Sequence, residues 1–222
     1  MFGSALIVLF SILSAAAVFT GVFAVRNAPL RPALAFAAGL FLAFLVSLAL
    51  PTAPAFLSNA LVLAGAVGLG VFISFFLTSN GAIAAFCVAV GVVDYFSFKG
   101  GLTAKLIAAA KAGNVDLLKH LVIYLPQEGG RLTALIGVGD LVILGALYAG
   151  LMENRHSPGA ALFAPTAGLV FAILTGLVIG GVYGVPFISV AVLLYLYVRP
   201  LYGVVAGLLY LAFLFLVLPS LV

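Results

Sequence analysis

The chain has 222 residues, of which 66% are hydrophobic and 6% charged, with a mean hydropathy of +1.42. Such a composition lies far outside that of water-soluble domains and points to an integral membrane protein. The net charge of +4 is scattered over short polar connections, so the implied partner is the lipid bilayer and not nucleic acid.

Apolar runs of about 20 residues, the length a helix needs to cross roughly 30 Å of hydrocarbon, follow one another almost without pause. The short alternating segments of a membrane barrel are absent. In chain order the predicted crossings are 2–25, 33–50, 57–77, 82–98, 132–152, 159–180, 184–198 and 201–221, an all-α polytopic bundle of about eight helices. The first run carries small residues at Ala15, Ala16 and Ala17, as a cleaved signal would. Its apolar length is too great for one, and it reads as a retained helix. Arg26 with Pro29, Arg31 with Pro32, Pro51 with Pro54, the turn around Asn80 and Gly81, the stretch from Glu153 to Pro158, and Arg199 with Pro200 supply the breaks. The break near Gly180 and Gly184 contains no charge. No repeat or linker divides the chain, so 1–222 is read as one domain: N-terminal helices over 1–81, a core over 82–198 and an additional helix over 201–221.

The one sizeable polar connection, 99–131, has Leu102, Leu106, Ala109 and Ala110 at helical spacing, with Lys105, Lys111 and Lys119 among them. This predicts a short amphipathic helix at the lipid surface, or else a solvated helical linker. Five basic residues (Lys99, Lys105, Lys111, Lys119, Arg131) fall on this side, against Arg26, Arg31, Arg155 and Arg199 on the other. The positive-inside rule then places the connection in the cytosol, and even parity places both chain ends there.

The chain has five acidic residues. Asp116, Glu128 and Glu153 lie in polar connections, whereas Asp94 and Asp140 lie within crossings. A central ionisable residue costs about 2.5–3.5 kcal/mol on insertion scales, so both require a reason. For Asp94, an ion pair with Lys99 one turn away is the plain structural reading; no Lys, Arg or His lies within a crossing to pair with Asp140. The two acids sit on consecutive crossings, five residues inward of Lys99 and nine inward of Arg131, so they can reach similar depths and face each other. Two carboxylates in one site of low polarity cannot both ionise, and the pair then holds a single proton. The ionised member can take a proton from water while the other polarises a peptide carbonyl, which is aspartic-protease chemistry. Gly137 and Gly139 bare the backbone just before Asp140, allowing an extended substrate strand close approach; tight helix packing is the alternative use of such residues. The single Cys87 can form no intrachain disulfide. His120 and His156 are far apart with no His-Glu-x-x-His, so no metal and no other cofactor is expected.

The segments VVDYFSFKGG and IGVGDLVILGAL resemble the two catalytic segments of presenilin and signal peptide peptidase, intramembrane aspartyl proteases with a Gly-x-Gly-Asp signature. That family carries an aspartate on one crossing, a cytosolic connection, Gly-x-Gly-Asp on the next crossing and Pro-Ala-Leu two helices later. The resemblance covers 82 to about 198. It implies a presenilin-like bundle with Asp94 and Asp140 as the catalytic dyad and Gly137 and Gly139 shaping the approach. Pro186, Phe187 and Ile188 stand in the place of the proline motif as substrate-binding residues. It further implies that an unwound substrate pairs with backbone near Gly-x-Gly-Asp and the preceding loop, for which 127–131 is the candidate. The expected partners are transmembrane-helix peptide substrates, with no obligatory partner subunit. Three departures stand out: Val93 instead of tyrosine precedes Asp94, Pro-Phe-Ile replaces Pro-Ala-Leu, and three crossings precede Asp94 where the family usually has five. Pro186 is compatible both with an interrupted helix and with an ordinary first-turn proline. A prepilin or preflagellin peptidase, a proton-coupled transporter and a catalytically silent relative are the competing readings.

Overall fold

A computed structural model describes residues 2–26, 30–48, 55–101, 103–105, 108, 121–126, 132–179 and 184–197. Among them are seven helices and one hairpin: α1 (Phe2–Arg26), α2 (Leu30–Leu48), α3 (Ala55–Ser74), α4 (Asn80–Gly100), β1 (Val122–Pro126), β2 (Leu132–Gly137), α5 (Val138–Glu153), α6 (Pro158–Ile179) and α7 (Gly184–Tyr197). Four of the helices contain stretches long and apolar enough to cross a membrane: Leu6–Val25, Phe56–Ser74, Asn80–Ser97 and Pro158–Val178. The helix expected over 201–221, residues 127–131 and most of the amphipathic stretch lie outside the described residues. Of that stretch, 103–105 and 108 are helical.

The helices are apolar on all sides, as expected where lipid and not water surrounds the bundle. Their mutual contacts are therefore set by shape. α3 is the central strut, packed extensively against α2 and α5 and also against α1. Small residues permit the closest approach: a methyl at Gly70 of α3 would stand 2.7 Å from the main-chain carbon of Gly145 in α5. Backbones this close gain many dispersion contacts, the dominant attraction between helices in an apolar solvent. Tyr148 of α5 is fully buried. Its hydroxyl meets Thr166 Oγ1 of α6 at 2.8 Å, and Phe19 of α1 presses edge-on at 5.4 Å, so one side chain joins three helices.

The structure corrects the reading of 132–152 as one helix. Residues 132–137 form β2, antiparallel to β1, and the helix starts only at Val138. In apolar surroundings an extended segment needs its backbone groups paired. Here β1 supplies the partner, Ile123 and Ile136 face each other in the buried core, and Leu121 O accepts from Val138 N at 2.8 Å where strand becomes helix. A register irregularity falls between Ile123 and Tyr124.

α7 packs on α6 and on α4, whereas only 11% of the α4 span is buried. α4 is thus a peripheral helix held chiefly along one side. If the α3–α5 crossing organises the bundle, Gly70→Val should destabilise the protein by about 1–3 kcal/mol through overpacking. Gly39→Val, at a position with open space around it, should have little effect. Equal melting temperatures for the two variants in detergent would contradict this packing account.

Candidate active site

Asp140 does not lie near the middle of a helix. It is the third residue of α5, directly after the strand-to-helix junction, with Gly137 as the N-cap in extended conformation (φ −71°, ψ 148°). The first turn of a helix presents unpaired N–H groups and the positive end of the helix dipole, which favour a carboxylate. The Asp140 carboxylate accepts a hydrogen bond from the Gly137 main chain, reaching back as the acid of a capping box does. An acid can therefore be held in an apolar bundle here at reduced cost.

The glycines ahead of it do not serve helix packing. Among the described residues, a methyl at Gly139 would meet nothing within 4 Å, and one at Gly137 would meet only the Asp140 carboxylate, at 3.3 Å. Both leave open backbone beside the acid. The residue that closes on Asp140 from another element is Gly184, the first residue of α7. A methyl there would stand 2.5 Å from Oδ1 and 3.0 Å from Cγ of Asp140. Sequence reasoning missed Gly184, treating it only as part of a charge-free break; its position two residues before Pro186 was the available signal.

Asp94 lies partly buried on α4, and the two carboxylates interact electrostatically. Lys99 turns away from it, donating to Tyr95 Oη at 3.2 Å with its ammonium 5.5 Å from the ring centre, so the plain ion-pair reading of Asp94 is not realised.

Both acids stand far along their helices from a polar cluster. At the end of the bundle remote from them, Asn154 donates to Leu77 O at 2.7 Å and His156 Nε2 bonds Asn80 Oδ1 at 2.9 Å. These bonds fasten the turn after α5 to the turn before α4. Asp94 is fourteen residues along α4 from Asn80, and Asp140 is fourteen residues back along the chain from Asn154. At 1.5 Å per residue each acid is about 21 Å along its own helix from that asparagine.

The proline segment divides. Pro186 is in the first turn of α7, the ordinary helix-start position, and lines a groove of about 320 Å³ between α4 and α7 together with Cys87, Gly91, Tyr95 and Ser189. Ser189 Oγ is buried there without a well-formed hydrogen bond, its polar company being the Cys87 thiol. Phe187 and Ile188, expected to bind substrate, are instead buried: the Ile188 backbone lies against Gly168 of α6, where a methyl would stand 2.5 Å from its Cα. Helical geometry turns these two side chains away from the groove that Pro186 and Ser189 line, so they serve the core.

The chain matches no family model, no curated protein and no solved structure. The site's geometry therefore carries the functional argument.

The Asp140–Gly184 approach can be checked directly. The 3.0 Å between a Cβ at 184 and the Asp140 Cγ position suits one Cβ and the opposite sulfur of a disulfide. In a Cys87→Ala background, Asp140→Cys with Gly184→Cys should oxidise readily, while Asp140→Cys with Pro186→Cys should stay reduced. The reverse pattern, read on a gel after thiol labelling, would show that the start of α7 is wrongly placed.

Proposed function

We propose that this chain is an intramembrane aspartyl protease with a presenilin-like bundle of about eight crossings, cleaving transmembrane-helix peptides with the Asp94 and Asp140 dyad. The observation that supports it most is two acids on separate helices whose charges interact, with bare backbone at Gly137 and Gly139 beside one of them and Gly184 closing on it from α7.

α5 spans about 24 Å, less than the hydrocarbon thickness, so with its polar end at one face Asp140 lies below the other. The connection preceding it supplies water from the cytosolic side. The dyad shares one proton because two charges in that environment repel. A water held between the acids gives a proton to the ionised carboxylate as its oxygen attacks the peptide carbonyl carbon, and the protonated carboxyl donates to the carbonyl oxygen. The resulting diol collapses as the protonated carboxyl gives its proton to the leaving nitrogen and the ionised carboxylate takes one from a diol hydroxyl, which breaks the C–N bond and leaves the pair with a single shared proton.

A helical substrate hides its carbonyls in its own hydrogen bonds and must unwind first. Among the described residues β2 is paired along one edge only, by β1. Its other edge can accept an extended strand and lead it to Asp140, in the manner of strand addition to a sheet edge. The α4–α7 groove, beside Asp94 and opening toward lipid, is where an apolar segment would arrive. Glycine at 184 keeps the Asp140 carboxylate free to face Asp94.

With purified protein and a helical reporter peptide in detergent, Asp94→Asn and Asp140→Asn should each lower cleavage at least about a hundredfold, the loss typical of removing an acid–base group. Gly184→Ala should lower it about tenfold or more by displacing the carboxylate, with the fold intact. Near-normal proteolysis by either asparagine variant would refute the dyad. Cleavage of a basic-leader prepilin in preference to the bare helix would move the assignment to the leader peptidases, and substrate-dependent proton flux in liposomes without proteolysis would move it to a transporter.

A further inference from the structure

His156 has no part in the chemistry above, yet its ring bonds side chains of two different helices. It lies in the turn between α5 and α6. Nε2 is 2.9 Å from Asn80 Oδ1 at the start of α4, Nδ1 is 2.9 Å from Tyr195 Oη near the end of α7, and the His156 and Tyr195 rings meet edge-on at 5.3 Å. An amide oxygen only accepts, so Nε2 carries the proton, and Nδ1 accepts from the tyrosine hydroxyl.

We propose that His156 is a positioning residue: through Asn80 and Tyr195 it latches α4 to α7 at the end remote from the acids and so sets the separation of Asp94 from Asp140. This inference rests on the protease reading for its activity test but not for its structural one. α4 has few buried residues to locate it, and it packs chiefly on α7. The two helices run antiparallel and enclose the groove, α7 delivering Gly184 to Asp140 at one end and Tyr195 to the latch at the other. One imidazole therefore fixes the base of both groove walls. The lever is long: a tilt of about 3° over about 21 Å displaces Asp94 by about 1 Å, and misplacement on that scale can cost about a hundredfold in rate.

Two readouts test the latch. In the first, His156→Ala and Asn80→Ala each lower kcat about 10- to 100-fold with KM little changed, and the double variant is no worse than His156→Ala alone, because the connection to Asn80 is already lost with the imidazole. Additive losses, or a lowered melting temperature with unchanged kcat, overturn the proposal. The second needs no proteolysis: spin labels at Phe96 on α4 and Val178 on α6, both exposed, report their separation in a Cys87→Ala background. His156→Ala should shift or broaden that distance distribution while a control pair at Phe23 and Val178 keeps its own; an unchanged Phe96–Val178 distribution overturns the latch. Absence of proteolysis in the parent protein would defeat the protease reading alone and leave the distance test decisive. If His156→Ala fails to fold, Tyr195→Phe removes a single hydroxyl and carries the same two readouts.

Discussion

A carboxylate inside an apolar bundle has to be supported by main-chain groups, because the side chains around it can offer almost nothing. Asp140 meets that constraint by standing where β2 becomes α5. The strand is paired by β1, the helix contributes its N-terminal N–H groups, and Gly137 donates from just behind. Glycines supply the remaining room on three sides, and the first residue of α7 comes close enough that any side chain there would strike the acid. The hairpin, the helix start and the first residue of α7 all meet at this one polar group.

The second acid is held differently. Asp94 rides on a peripheral helix whose position depends on α7 and on the hydrogen-bonded turns at the far end of the bundle. A strongly anchored Asp140 and a loosely walled Asp94 suit the proposed function, in which an apolar segment enters between the two. The closely packed part of the molecule, around the α3–α5 crossing and Tyr148, carries one acid; the more exposed helix α4 carries the other.

Much of this was legible in the amino-acid order. Apolar length located the helices, and the rarity of charge isolated Asp94 and Asp140 at once. The hairpin was not seen because 132–137 is as apolar as a helix segment, although Val122, Ile123 and Tyr124 followed by Gly129 and Gly130 do favour a strand and turn. Proximity in space was the other obstacle. Gly184 and Asp140 are separated by all of α5 and α6, and a glycine has no chemistry to draw attention. Similarly, His156 reads alone as a turn residue, since Asn80 and Tyr195 are 76 and 39 positions away. Phe187 and Ile188, motif neighbours of Pro186, are buried because helical rotation turns them away from the groove that Pro186 lines.

The central claim is that Asp94 and Asp140 act together on one water. It is tested most directly by an experimental structure of the protein in a lipid nanodisc with a peptide isostere whose hydroxyl mimics that water. The account requires the hydroxyl to lie within hydrogen-bond distance of both carboxylates, with the peptide backbone extended along β2. Carboxylates facing different sides of the bundle, or an isostere seated away from them, would contradict it.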